Sequence, residues 1–155
     1  MPRPKRASKP DGALRLGEFL CFAVYSANHA FNRVYKPLLD ELGLTYPQYL
    51  AMVLLWEQND QTVGSLGEKL FLESSTLTPV LKRLEALGHV KRTRDPVDER
   101  QVRVRLTERG RVLREKARKI PGCILDASGL ELDELQRLQG EIVDLRSALE
   151  RYHRE

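Results

Sequence analysis

VGSLGEKLFLESSTLTPVLKRLEALGHVKRTRDPVDERQVRVRL, residues 63–106, is the stretch that decides the fold. Apolar residues recur three or four positions apart in two short segments, 63–70 and 74–87, and this period predicts two helices. Only residues 71–73 separate them, so a tight turn must join the pair. The second segment stops at Gly88, a residue type that commonly follows the last turn of a helix.

The residues that follow predict a β-hairpin with one basic face. Segments 89–94 and 101–106 have strand character, and the turn-forming segment 95–100 joins them. In the second strand, three apolar residues alternate with Arg103 and Arg105, so one face packs inward while the other is cationic. Two helices in tight succession, followed at once by a basic hairpin, predict a winged helix-turn-helix.

The flanking sequence is helical. From Leu14 an apolar stripe predicts one long amphipathic helix that Pro37 ends or kinks. Thr45 and Gln48 have the spacing of a capping box, which starts an apolar core helix. Thr107 caps a helix that extends to about Lys119. Residues 120–122 interrupt this helical pattern, and a last helix is predicted over 131–152.

The first and last helices carry apolar stripes that so small a domain cannot cover. The predicted fold is therefore mainly α with a small β wing, in which the N- and C-terminal helices form a dimerisation region. Residues 13–61 and 120–155 are assigned to dimerisation and sensing, and residues 62–119 to DNA binding. Residues 1–12 are basic, contain three prolines and predict a disordered tail.

The positive charge is concentrated in one part of the chain. Residues 82–119 hold fourteen Lys and Arg against six Asp and Glu, although the whole chain has a net charge of only +4. A basic segment of this kind is typical of a surface that faces phosphates. The predicted reading face of the second helix has hydrogen-bonding and cationic side chains, namely Ser75, Thr76, Thr78, Lys82 and Arg83, and Arg94 at the end of the next strand adds a further cation.

Composition excludes several other classes of protein. No apolar run reaches the roughly 20 residues of a membrane span, and no apolar stretch behind the basic start forms a signal peptide, so a cytoplasmic protein is expected. Cys21 and Cys123 lie far apart and lack metal-ligand spacing, and neither a metal nor a cofactor is expected. Segment 64–67 lacks the spacing of a nucleophile elbow, and no phosphate-binding loop occurs, so the chain is not expected to be an enzyme.

At two places the sequence resembles the MarR family of transcription regulators: Asp98-Glu99-Arg100 followed by residues 102–107, and residues 77–85. Residues 20–22, 35–39 and 44–50 resemble more narrowly the organic-hydroperoxide-resistance regulators (OhrR) of that family. The resemblance covers residues 14–152. One departure is Glu73-Ser74-Ser75-Thr76, where the branch commonly has Asp-Ser-Gly-Thr.

The resemblance implies a repressor that binds a pseudo-palindromic DNA operator as a homodimer and senses organic hydroperoxides. Cys21 is the sensing sulfur, and the sensor pocket consists of the hydroxyls of Tyr25, Tyr35 and Tyr46 with Phe19 and Phe22 as its apolar wall. A straight helix would separate Cys21 from Tyr35 by about 21 Å, so the tyrosine is expected from the other subunit unless the chain folds back. Arg100 enters the minor groove from the wing tip, where Asp98 holds its side chain.

In two-cysteine members of the branch, the residue that matches Cys123 resolves the oxidised sensor as a disulfide. The chain is therefore expected to form a disulfide between Cys21 and Cys123 of the partner subunit. Without the resemblance, Cys21 would be interpreted as a small buried hydrophobe and Arg100 as half of an exposed ion pair. Two other functions stay open: a MarR-type repressor released by a small phenolic ligand, and a thiol peroxidase that turns over peroxide.

Overall fold

The computed structural model of this chain describes residues 14–154. The tail predicted over residues 1–12 lies outside the described residues. Within them the helices are α1 Leu20–Asp40, α2 Tyr46–Glu57, α3 Val63–Leu70, α4 Ser74–Ala86, α5 Glu108–Ala117, α6 Ile120–Ser128 and α7 Leu132–Arg154, and the strands are β1 Gln61–Thr62, β2 Val90–Arg94 and β3 Val102–Leu106. The chain divides into two compact units, which meet between Arg33 and Val34.

The first unit contains a single turn of 3-10 helix, Leu16–Glu18, and the N-terminal part of α1. The predicted start of the long helix at Leu14 was wrong, because α1 begins at Leu20. Gly17 lies in the misassigned segment, and glycine disfavours a regular helix by about 1 kcal/mol relative to alanine. All the described residues of this unit before Ser26 are exposed.

Helix α1 does not end at Pro37, contrary to one of the two sequence-based alternatives. It continues to Asp40 with Pro37 inside it. The proline lies in the last turn, so its missing N–H removes one hydrogen bond near an end that frays in any case. Leu39, only 3% exposed, packs this last turn into the core of the second unit.

The core of the second unit is built around α2. The predicted capping box is confirmed: the Gln48 N–H donates to Thr45 Oγ1 (3.4 Å) and the Thr45 N–H donates to Gln48 Oε1 (2.9 Å). Ala51, Met52 and Leu55 on this helix are completely buried. All the fully or nearly buried apolar residues that the structure describes lie between Leu39 and Ile124.

The predicted helix-turn-helix is confirmed in α3 and α4. The turn between them includes Phe71, which has a left-handed backbone conformation (φ 57°, ψ 39°). Leu77, Leu81 and Leu84 bury one side of α4 completely. Gly88 has φ +83° just beyond the helix, which agrees with its predicted role at the C-terminus.

The wing is a three-stranded antiparallel sheet with the order β1-β3-β2. The β2–β3 hairpin pairs Val90 with Leu106 and Arg94 with Val102. Strand β1 was not predicted, because its two residues are too few to show an alternating pattern. Its pairing with β3 connects the segment that follows α2 to the wing.

The break after α5 lies at residues 118–119, and not at 120–122 as the sequence suggested. Helix α6 begins at Ile120 and includes Pro121 and Gly122 in its first turn. Proline is well tolerated there, because the first N–H groups of a helix have no partner within it. Cys123, the residue next to the predicted break, therefore lies inside α6.

Helix α7 has 23 residues, and none of them is buried. Its exposed apolar residues are Leu132, Leu138, Ile142, Leu149 and Tyr152. Arg146 makes a contact with the helix-turn-helix, since its guanidinium carbon lies 4.1 Å from the centroid of the Phe71 ring. Among residues 14–154, no helix is both long enough and apolar enough to cross a membrane.

Gly110 permits a close approach between α5 and the residue just before β2. A Cβ at this position would lie 2.1 Å from the His89 carbonyl oxygen, and the Gly110 carbonyl accepts a hydrogen bond from Trp56 Nε1 (2.9 Å). We expect Gly110→Ala to lower the free energy of unfolding by at least about 2 kcal/mol, because backbone must move to relieve the overlap. Urea denaturation of the reduced protein measures this loss.

Gly64→Ala is the matched control for that experiment. A Cβ on Gly64 would meet only Thr62 Oγ1, at 4.0 Å, within the first turn of α3. Its free energy of unfolding should stay within about 1 kcal/mol of the parent protein. Equal losses in the two variants would show that the close approach at Gly110 is not the cause of the lower stability of Gly110→Ala.

Candidate nucleic-acid interface and thiol site

One side of α4 is available for contact with DNA. Ser75, Thr76, Lys82 and Arg83 are exposed opposite the buried leucine stripe, as predicted, while Thr78 is half-buried. The Thr78 hydroxyl donates to the Ser74 carbonyl within the helix (2.7 Å), which leaves its oxygen as an acceptor. The helix therefore presents a polar, cationic face of the kind that fits a major groove.

A contact with β2 holds α4 against the wing. The Glu85 carboxylate accepts the Arg92 backbone N–H (2.7 Å) and also Arg92 Nη2 (3.2 Å). The backbone hydrogen bond is the main cause that lowers the pKa of Glu85, so this carboxylate is ionised at neutral pH. The recognition surface and the wing are thus connected directly as well as through the core.

The wing loop, residues 95–100, presents Arg100 to solvent. The Arg100 side chain is 92% exposed, and its Nε donates to Asp98 Oδ1 (3.3 Å). The Arg100 backbone N–H donates to the same oxygen (3.1 Å). Asp98 therefore contacts Arg100 as the sequence predicted, and Arg94 is exposed at the base of the loop. A cleft of about 580 Å³ lies between α3, α4 and this loop.

The predicted cationic face of β3 is neutralised by carboxylates, which corrects the sequence-based interpretation. Arg103 Nε donates to Asp60 Oδ1 (2.7 Å) and its Nη1 donates to Asp95 Oδ2 (3.0 Å). Arg105 Nε lies 3.1 Å from the same Asp60 oxygen. The alternating pattern identified the outward face correctly, but it gave no sign of acids that come from elsewhere in the chain.

Asp60 and Asp95 were not singled out from the sequence. Hydrogen bonds lower the pKa of both carboxyls: for Asp60 the principal donor is Arg103, and for Asp95 it is the backbone N–H of Val97. The Asp95-Pro96 pair was a usable signal, because an aspartate at the start of a turn commonly accepts backbone N–H groups two or three residues later. Asp60 offered no comparable signal.

The thiol of Cys21 is free and belongs to an exposed residue in the first unit. Phe19 and Phe22, the predicted wall residues, are also exposed there. Tyr25 is 61% exposed and packs edge-on against His29, with ring centroids 4.4 Å apart. Cys21 is therefore not buried within a single chain.

Two of the predicted tyrosines lie together in the second unit. The ring centroids of Tyr35 and Tyr46 are 4.8 Å apart, and Tyr49, which the sequence analysis did not assign, lies 6.0 Å from Tyr35. Burial is the main cause that raises the pKa of Tyr35 to about 12, and burial also raises the pKa values of Tyr46 and Tyr49. Their phenols are protonated at neutral pH, as an unperturbed tyrosine is, and can donate hydrogen bonds.

Cys123 is half-buried in the first turn of α6 and is also a free thiol. The residue before this helix, Lys119, pairs through Nζ with Glu41 Oε2 at 2.5 Å. This contact fastens the segment after α1 to the start of the helix that carries Cys123. Within the described part of the chain, no group of three or more His, Cys, Asp or Glu residues is placed to hold a metal ion.

Comparison with known proteins gives consistent results. Residues 33–117 match the family described as transcriptional regulator SarA/Rot. The chain is 46% identical over 136 residues to the organic hydroperoxide resistance transcriptional regulator of Bacillus subtilis (strain 168), covering 88% of this chain and 92% of that protein. It is 48% identical over 139 residues to the HTH-type transcriptional regulator TtmR of Methylorubrum extorquens (strain PA1), covering 90% of this chain and 71% of that one.

Among solved structures, AbfR of Staphylococcus epidermidis is similar in two states. Reduced AbfR bound to DNA has a TM-score of 0.73 and 40% identity, covering 87% of this chain and 94% of that chain. Disulfide-formed AbfR has a TM-score of 0.60 and 37% identity, covering 91% and 94%.

The tyrosine cluster predicts a dependence of stability on alkaline pH. The pKa of Tyr35 rises from 10.0 to about 12 on folding. Between these values the Tyr35 phenol has lost its proton in the unfolded chain but keeps it in the folded chain. The contribution of this phenol to the free energy of unfolding is therefore fully present below pH 10 and is lost as the pH rises toward 12. We expect Tyr35→Phe to flatten this decline in urea denaturation curves at pH 9–12, whereas Tyr152→Phe, at an 84% exposed position, should leave the decline unchanged.

Proposed function

Because the chain belongs to the SarA/Rot and MarR type of winged-helix transcriptional regulators, we propose that it is a dimeric repressor that organic hydroperoxides inactivate through Cys21. It binds DNA through the α4 face and the wing. The relatives described above are named as transcriptional regulators, and in this proposal Cys21 reacts once per cycle as a sensor in the cytoplasm and does not turn over peroxide as an enzyme.

The observation that carries the proposal is the Tyr35–Tyr46 pair. The two rings lie 4.8 Å apart, and both phenols are protonated at neutral pH. Such hydroxyls are suited to donate to a thiolate and to stabilise it. The 46% identity to a regulator named for organic hydroperoxide resistance supports the same chemistry.

Exposed apolar surface supports the dimer. Helix α7 has no buried residue, and in the first unit Leu20, Phe22 and Val24 are exposed on α1. A helix of this kind is stabilised mainly by burying its apolar face against another element. A second copy of the chain supplies that element for both helices. Helix α1 is continuous from Cys21 to Tyr35, so the tyrosines that contact Cys21 come from the partner subunit.

The oxidation proceeds in two balanced steps. The Cys21 thiolate attacks the terminal oxygen of the hydroperoxide, the O–O bond breaks, and the peroxide takes two electrons and leaves as an alcohol after gaining a proton. Cys21 becomes a sulfenic acid. The thiol of Cys123 from the partner subunit then attacks this sulfur, which forms the disulfide and releases water.

The disulfide offers a route to release of DNA. A disulfide requires Cα atoms within about 7 Å, so helices that hold the two cysteines farther apart must move to form it. The recognition helices of a dimer must enter major grooves about 34 Å apart. Movement of the shared helices changes this spacing and weakens binding to the operator. The similarity to disulfide-formed AbfR supports such a state.

Replacement of the sensing cysteine tests the central step. We expect Cys21→Ser to bind the operator with unchanged affinity and to stay bound when an organic hydroperoxide is added, because serine keeps the shape but cannot be oxidised. Mobility-shift titrations with and without cumene hydroperoxide, followed by added thiol, measure both properties. Peroxide-dependent release of this variant would reject Cys21 as the sensor, and release by a phenol alone would favour the ligand-controlled alternative.

The disulfide predicts a covalent dimer. Peroxide-treated protein should migrate as a thiol-reversible dimer on a denaturing gel, and Cys123→Ser should remove that band while Cys21 oxidises further to the sulfinic acid. Mass spectrometry of peptides under non-reducing conditions checks both results. A Cys21–Cys123 peptide obtained from protein that stays monomeric on the gel would place the bond within one chain and contradict the cross-subunit link.

A further inference from the structure

The wing loop is organised from inside by one carboxylate. Asp95 Oδ1 accepts the backbone N–H groups of Val97 (2.8 Å) and Asp98 (3.1 Å). The Asp95 N–H donates to the Gln101 carbonyl (2.9 Å) and closes the loop. Asp95 is only 8% exposed. Asp95 therefore fastens the backbone of the loop that carries Arg100 at residues 97, 98 and 101.

Arg103 ties this carboxylate to a distant part of the chain. Besides its bonds to Asp95 Oδ2 and Asp60 Oδ1, it donates from Nη2 to the Asp60 backbone carbonyl (3.0 Å). Asp60 has a left-handed backbone conformation, φ 61°, in the turn before β1. A single guanidinium thus connects the wing loop to the end of the turn that follows α2, although Arg103 and Asp60 are 43 positions apart in sequence.

This contact differs from an ordinary surface ion pair. The Arg103 side chain is 27% exposed and that of Asp95 only 11%, whereas most exposed pairs contribute little because water competes for them. Three guanidinium nitrogens donate to the carboxylates of Asp60 and Asp95 and to the Asp60 backbone carbonyl, a set of bonds that the planar fork of arginine can make and lysine cannot. These nitrogens are occupied, so Arg103 is poorly placed to bind a phosphate although it belongs to the basic segment.

We propose that Arg103, Asp95 and Asp60 form a brace that sets the orientation of the wing loop, and that they raise DNA affinity as positioning residues without contacting DNA. The brace rests on the proposed function, in which Arg100 on the same loop contacts DNA. When the brace is intact, the loop holds its binding geometry before DNA arrives. When it is broken, only a fraction of molecules has that geometry, and the apparent affinity falls by the same fraction.

Arg103→Lys tests the geometry of the brace while keeping the charge. If the fraction of molecules whose wing loop has the binding geometry falls to about one tenth, we expect the affinity for the operator to fall about tenfold. The salt dependence of binding should stay unchanged, because no phosphate contact is lost. Fluorescence anisotropy at four or more salt concentrations measures both quantities, and urea denaturation verifies that the variant is folded at the assay temperature.

Arg105→Lys is the matched control. Arg105 lies on the same strand and shares the Asp60 carboxylate, but it has no bond to Asp95. The same substitution there leaves the wing loop fastened, so operator affinity should stay within about twofold of the parent protein. An equal loss in both variants would overturn the brace, because it would show that any arginine of β3 matters to the same degree.

For Asp95→Asn, the brace and general electrostatics predict opposite changes in DNA affinity. This substitution removes a negative charge from the DNA-facing surface, so general electrostatics predicts tighter binding. The amide oxygen of asparagine accepts a weaker hydrogen bond from Arg103 Nη1 than a carboxylate does. The brace is then loosened, and the proposal predicts weaker binding to DNA. Hydroxyl-radical footprints, which report on deoxyriboses along the minor groove, should lose protection under the wing, whereas guanine N7 in the major groove under α4 should stay protected from methylation. Tighter binding with a complete footprint would reject the proposal.

Arg100→Ala separates failure of the brace from failure of the proposed wing contact. If Arg100→Ala weakens binding and lowers the salt dependence while Arg103→Lys binds like the parent protein, the wing contact stands and the brace is wrong. If Arg100→Ala changes neither the operator affinity nor its salt dependence, Arg100 does not contact DNA. The brace then cannot raise DNA affinity, and the proposal is wrong. Weaker binding in both variants, with reduced salt dependence in Arg100→Ala only, supports the brace.

Discussion

The burial of Leu77, Leu81 and Leu84 holds α4 in place, and the other features of the DNA-binding surface depend on it. A helix with one fully buried stripe cannot rotate about its axis without exposing these side chains to water, at roughly 1.5–3 kcal/mol for each. The opposite face is therefore fixed outward, with its hydroxyls and cations exposed. Glu85 fastens α4 to β2, so the position of α4 also fixes the position of the wing.

Charge on this surface is divided between two tasks. Arg100 is almost fully exposed at the tip of the wing, whereas Arg103 is occupied by two carboxylates at its base. The net charge of a segment does not distinguish these arginines, although only the exposed one is free to approach a phosphate. The basic stretch of residues 82–119 is consequently less available to DNA than its composition suggests, and part of it serves to hold the wing.

The proposed sensing chemistry combines a thiol that is exposed within one chain with half-buried, protonated phenols. The two belong to different units of the chain, which share α1. Apolar residues on α1 and α7 lack cover within one chain, and in the proposed dimer they acquire it from the partner subunit. In this proposal peroxide sensing and dimerisation use the same helices, so a covalent change at Cys21 would act directly on the helices that space the two recognition helices.

The sequence by itself determined the helix-turn-helix, the β2–β3 hairpin, the capping box at Thr45 and the outward face of α4. Each of these depends on neighbouring residues, and the periods of 3.6 and 2 that predict them are local. Tyr35 and Tyr46 were singled out through resemblance, and tertiary structure then decided that they lie side by side and that Tyr49 joins them. It also decided the pairing of β1, the start of α6 before Cys123, and the capture of Arg103 by Asp60 and Asp95. These features depend on contacts between residues far apart in sequence, and no local period or composition encodes which acid will meet which arginine.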